Sequence, residues 1–217
     1  MPKTLGIFAP GGYEIKTILW DFDGVIFDGM GIKAEGFAEL FGDYPEEMID
    51  EFVRYHYTHG GVSRFEKIRH FHAHIAGEDI DERQIEAEAE RFASLISEKL
   101  YDESRLIVDA LGFIESFHDR YPMHIVSGAE KSELLRICEH FSLRRYFVSI
   151  EGSPTPKSEL IGDILSDYGY SAAKTLMIGD SITDRDAASR NGVRFCGYNN
   201  PALMKGGCYI ESFGDMA

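Results

Sequence analysis

Two aspartates one residue apart, Asp21 and Asp23, close the apolar run Thr17-Ile18-Leu19-Trp20 and are followed by Gly24. Such a run reads as a buried strand, and a turn at the glycine lets both carboxylates converge on one point above the strand end. Held that close, two carboxylates repel each other unless a cation lies between them. A hard, oxygen-preferring divalent ion such as Mg2+ is the expected guest.

The elements that must position this pair fall into two textures. Residues 30–101 are helical throughout. Phe37, Leu40 and Phe41 share one helix face; Ile49, Phe52 and Val53 share another, with Pro45 in that helix's first turn. Ser63-Arg64-Phe65-Glu66 is a capping box ahead of the stripe Phe65, Ile68, Phe71 and Ile75, and Asp81 caps a longer helix carrying Ile85, Ala89, Phe92, Ile96 and Leu100. Past Asp102 the chain alternates. Helices over 106–117, 130–141 and 157–168 lead into strands at 123–126, 147–150 and 175–178. A short helix stops at Asn191-Gly192 before a strand at 193–196. Alternation of this kind predicts an α/β fold, a parallel sheet with helices on both faces and right-handed crossovers. The opening strand belongs to that sheet. The expected organisation is therefore a core of residues 1–29 and 102–217, with 1–15 a loose leader, interrupted at 30–101 by a four-helix unit hinged near Gly29 and Gly31. An edge strand is expected near Tyr209-Ile210.

In open parallel sheets ligands bind beyond the carboxyl ends of the strands. The residues following the strands here are Asp21 and Asp23, then Ser127-Gly128, then Ser153-Pro154-Thr155-Pro156-Lys157, and then Gly179-Asp180 through Asp184. Carboxylates, a hydroxyl, an amine and glycines on one rim are the composition of a Mg2+-assisted phosphoryl-transfer site.

The order and spacing of these segments resemble the haloacid dehalogenase superfamily, across nearly the whole span from Lys16 to Gly197. The Asp-x-Asp-Gly-Val motif stands as Asp21 to Val25, the strand-closing hydroxyl as Ser127, the lysine ahead of a helix as Lys157, and Gly-Asp-x-x-x-Asp as Gly179 to Asp184. The resemblance implies a Rossmann-like sheet with an all-helical cap inserted after the first strand. Asp21 would then be the nucleophile that forms an aspartyl-phosphate, and Asp23 the acid and base. Asp21, the backbone carbonyl of Asp23, and Asp180 would hold Mg2+, with Asp184 behind them. Ser127, the amide of Gly128 and Lys157 would bind the non-reacting phosphoryl oxygens. Here Ser158 follows the lysine where the family commonly has proline; Lys131 and Lys174 are the alternatives for that position. Gly60-Gly61-Val62-Ser63-Arg64 is similar to the substrate-contacting loop of beta-phosphoglucomutase-like members, which makes Arg64 a candidate for a second anionic group on the substrate. The position at which the mutases carry a cap histidine is Lys33, a departure that favours a phosphatase over a mutase and makes Lys33 a further candidate contact to the substrate's anionic part.

Composition bounds the rest. The 217 residues carry a formal net charge of -15, which disfavours nucleic acid and anionic lipid as partners. No apolar run approaches the ~20 residues of a membrane span. The resemblance implies a small phosphorylated metabolite as the partner, and a cytoplasmic monomer or homodimer is the expected state. Three cysteines without metal-ligand spacing, Cys138, Cys196 and Cys208, read as buried thiols in a reduced compartment. His70, His72 and His74 read as a solvated helix surface, and 82–90 as an exposed acidic face. A receiver domain uses similar residue types on a parallel sheet, but it is much shorter and lacks a helical unit after its first strand. A silent binding protein would have little reason to carry both Asp21 and Asp23. Asp23 also counts against phosphonoacetaldehyde hydrolysis.

Overall fold

The structure is a computed structural model describing residues 14–216, so residues 1–13 of the expected leader lie outside the described residues. The strands are β1 (Thr17–Trp20), β2 (Met123–Glu130), β3 (Ser149–Ser153), β4 (Thr175–Gly179), β5 (Arg194–Tyr198) and β6 (Cys208–Ile210). They form one parallel sheet in the order β3-β2-β1-β4-β5-β6, with β1 central between β2 and β4. Alternation along β1 sends Ile18 and Trp20 into one apolar cluster and Leu19 into another. The Leu19 cluster is completed by Leu160, Ile161, Ile164, Ala187 and Ala188, so both faces of the sheet are covered.

Four helices separate β1 from the remaining sheet elements: α1 (Met30–Leu40), α2 (Glu46–Thr58), α3 (Arg64–His70) and α4 (Glu82–Ile96). Their apolar stripes meet in an aromatic cluster. Phe37 stacks on Phe92 at 4.1 Å and Phe41 on Phe71 at 3.7 Å, with Phe52 edge-on to Phe37 and Phe41. Then follow α5 (Val108–Phe117), α6 (Lys131–His140), α7 (Lys157–Tyr168) and α8 (Ile182–Arg190). The helix expected over 157–168 is α7 itself.

Several local expectations are corrected. Pro45 precedes α2 rather than sitting in its first turn. Ser63 accepts the Glu66 amide, but Arg69 takes the Glu66 carboxylate, which leaves the capping box half made. β3 begins at Ser149 because the Phe147 amide closes a 3-10 turn on Arg144. β2 runs on past Val126, with a shift of register, until Glu130 pairs with Ser153. α3 continues as a wider π-helical turn, Phe71–Ala76, and this turns His72 inward. His72 is buried, with Nδ1 3.2 Å from Glu78 and Nε2 3.0 Å from Glu88, so it is not part of a solvated surface. Cys196 and Cys208 are not thiols. They face each other across β5 and β6 and are joined as a disulfide, leaving Cys138 free and buried. Spacing alone could not show this pairing, because strand register creates it. Among the described residues, no helix is long and apolar enough to cross a membrane.

Candidate active site

The acids converge because four strands end on one rim. The Asp21 amide donates to Ile178 O at 2.9 Å, continuing the β1–β4 ladder, while Phe22 O accepts the amides of Ile26 and Phe27 and turns the chain back. Gly24 lies in that turn at φ +78°, and a Cβ there would fall 2.0 Å from Asp180 Oδ2. Glycine is required on both counts, a left-handed backbone and the close approach of a carboxylate. After β4, Ser181 caps α8 reciprocally with Asp184, which fixes the Asp184 carboxylate at zero exposure.

Carboxylate oxygens of Asp21, Asp180 and Asp184 all lie within 4.8 Å of one another. The first residue of α7, Lys157, reaches 2.7 Å from Asp21 Oδ1 and also pairs with Asp184. Burial alone would push the Lys157 ammonium down, but Asp184 and Asp21 hold its proton and move it upward overall. Burial, then Asp184, raises Asp21 well above the usual carboxylate range, and the same two causes push Asp180 up to about 7. One lysine against three carboxylates, with Asp21 and Asp184 buried and Asp180 half-buried, leaves room for further positive charge. The all-oxygen donor set fits a hard divalent cation such as Mg2+.

Asp23 lies outside that three-carboxylate cluster. Its Oδ2 pairs with Lys33 of α1, and its buried Oδ1 has no partner among the described residues. A Cβ on Gly29 would meet that oxygen at 2.4 Å, so this expected hinge glycine also makes room for the acid; Gly31 lies within α1. Ser127 is fully buried and its Oγ accepts the Ala129 amide at 3.1 Å. Gly128 lies against the helical unit, where a Cβ would stand 2.2 Å from Gly61 O. Thr183 Oγ1 donates to Gly60 O at 2.5 Å across the same seam.

Asp21, Ser127, Lys157, Asp180 and Asp184 are thus on the rim, with Asp23 and Lys33 beside it. Lys131 pairs with Glu151 and Lys174 with Glu14, both at exposed positions, so neither competes with Lys157. Arg64 is a buried residue whose guanidinium is committed to Glu133 and lies 5.1 Å over the Phe92 ring, so it is not poised as a free anion contact. Sequence reading missed two asparagines. Asn199 Nδ2 donates to Gly24 O at 3.0 Å and Asn200 Nδ2 to Asp180 O at 2.7 Å, clamping both acid-bearing turns. The signal was their place just after a fifth strand, on the same rim. His56 and Lys67, from α2 and α3, were also missed; they line the small cavity over Asp23.

This constellation on this fold matches a known class. Residues 15–192 match the model of the haloacid dehalogenase-like hydrolases. The chain belongs to that family. It is 34% identical over 112 residues to a 5'-nucleotidase of Pseudomonas aeruginosa, a match covering 49% of this chain and 48% of that protein, so it spans about half of that relative. It is 23% identical over 187 residues to a phosphoglycolate phosphatase of Aliivibrio fischeri, covering 82% of each. Beta-phosphoglucomutase from Clostridium difficile shares the fold, with a TM-score of 0.75 at 14% identity over 94% of this chain and 93% of the other.

Proposed function

We propose that this protein is a Mg2+-dependent phosphomonoesterase that acts on a small phosphorylated metabolite through an aspartyl-phosphate on Asp21. The observation that carries this reading is the separation of the two motif acids. Asp21 lies in the three-carboxylate cluster with Lys157, whereas Asp23 keeps an unpartnered oxygen beside the cavity under the helices. Asp21, Asp180 and the backbone carbonyl of Asp23 would hold Mg2+. When bound, the ion offsets the repulsion between nucleophile and phosphate dianion.

Asp21 attacks phosphorus as the ester bond breaks, and Asp23 delivers a proton to the departing oxygen. Asp23 then takes a proton from the water that releases phosphate from Asp21. Lys33, by holding Oδ2, orients Oδ1 for both transfers. Lys157, Ser127 and the Gly128 amide face the non-reacting oxygens, where negative charge must be stabilised. The helices of residues 30–101 serve as a cap over the site. The bond from Thr183 to Gly60 and the contact of Gly61 with Gly128 support a closed seat for it.

Phosphate release from p-nitrophenyl phosphate tests this reading. Turnover is expected with Mg2+, is lost on adding EDTA, and falls by at least about 10^3-fold in Asp21→Asn. Wild-type rates in that variant would sink the proposal. Turnover that needs a bisphosphate primer and releases no net phosphate would replace it with a mutase.

A further inference from the structure

The cavity between Asp23 and the cap is small, about 30 Å³, and its wall carries three cationic side chains, Lys33, Arg64 and Lys67. Lys33 is paired with Asp23 and Arg64 with Glu133. Lys67 differs. It is 3% exposed, and among the described residues its Nζ hydrogen-bonds only to His56, at 2.9 Å from Nδ1 and 3.4 Å from the backbone oxygen, with no carboxylate within ion-pair distance.

The His56 ring explains the arrangement. Its Nε2 stands 3.1 Å from Met30 O, which can only accept, so Nε2 carries the hydrogen and Nδ1 accepts from Lys67. Burial pushes His56 down to about 3, so the ring stays neutral and gives Lys67 orientation without counter-charge. A buried ammonium with only neutral partners is unfavourable; burial first, then Lys33, pushes Lys67 down to about 7. An anion entering the cavity would supply the missing half of a charge-assisted pair.

We propose that Lys67, positioned by His56, anchors a second anionic group on the substrate and so selects phosphate monoesters whose unreacting end carries a carboxylate or a second phosphate. The proposal rests on the phosphomonoesterase reading for the identity of the reacting end. The cavity has room for about two or three water-sized centres, so the anionic group is compact and sits close to the ester. Lys67 takes the part expected of Arg64, whose charge is already neutralised by Glu133.

Three esters with the same reacting end test it: ethyl phosphate, phosphoglycolate and ethylene glycol bisphosphate. Wild type should prefer at least one doubly charged ester over ethyl phosphate by about tenfold or more in kcat/KM. Lys67→Met should reduce that ratio to within about threefold, and Lys67→Arg should keep part of it. Whichever doubly charged ester is preferred identifies the carboxylate or the phosphate as the natural group. A wild type without preference, or a Lys67→Met variant that keeps the ratio, overturns the proposal. If none of the three esters releases phosphate, p-nitrophenyl phosphate decides the hydrolase reading separately, and calorimetry with phosphonoacetate and ethylphosphonate decides about Lys67. Tighter binding of phosphonoacetate, lost in Lys67→Met, upholds the anchor; equal binding of the two by wild type refutes it. If Lys67→Met does not melt cooperatively, Lys67→Gln takes its place in every arm.

Discussion

At the scale of single residues, environment separates side chains of the same type. Asp21 and Asp23 are two positions apart, yet one sits among carboxylates with Lys157 and the other pairs with Lys33 and keeps a free oxygen. Histidines diverge in the same way. His124 is buried on β2 between Ser149 Oγ at 2.9 Å and Tyr170 OH at 3.2 Å, and burial pushes it from 6.5 down to about 4. In the unfolded chain His124 takes up a proton below about 6.5, whereas the folded protein resists until about 4. Its contribution to stability is therefore present above 6.5 and is lost as pH falls through that window. The loss approaches about 1.4 kcal/mol per pH unit for one proton. Urea midpoints measured between pH 7.5 and 4.5 should fall less steeply for His124→Gln than for wild type, and parallel slopes would refute the assignment.

At the scale of elements, the site depends on how closely backbones approach. The seam between the helical unit and the sheet is made by Gly61 against Gly128, with Thr183 bonded to Gly60. A methyl at position 128 would overlap the Gly61 carbonyl, with no flexible side chain to move aside. Gly128→Ala should leave the sheet folded but hold the cap away from it. Hydrogen exchange over residues 60–63 should speed up, and turnover of p-nitrophenyl phosphate should drop by about tenfold or more for a closure that positions reacting groups. Unchanged exchange in that segment would show that the seam yields elsewhere. The strand ends were legible in the sequence because apolar runs followed by polar clusters mark them. The closeness of the helical unit to the sheet was not, since nothing in Gly60-Gly61 states which surface it will meet.

At the scale of the whole molecule, one apolar cluster runs from the sheet into the helical unit, through Ile18, Trp20, Phe22 and Phe27 to Phe37 and Phe92. The far edge of the sheet is tied instead by the Cys196–Cys208 disulfide, across a sequence separation of 12. Under denaturing, non-reducing conditions a thiol reagent should count one cysteine per chain, Cys138, and all three after reduction. Closing a loop of this length contributes about 2–3 kcal/mol, so reduction should lower the urea midpoint accordingly. Three reactive thiols before reduction would show that the bond is absent.

The amino-acid sequence by itself determined the α/β alternation, the helical insertion after the first strand and the rim acids with Ser127 and Lys157. These are local patterns: a strand's apolar run, a glycine turn and a capping residue declare themselves within a few positions. Tertiary structure alone decided that Arg64 is neutralised by Glu133, that Lys67 is left facing the cavity with only His56, that Asn199 and Asn200 clamp the acid turns, and that two cysteines meet across strands. Each of these joins residues from different elements. The charge, proton or bond that results depends on the distance between them, which sequence spacing does not contain.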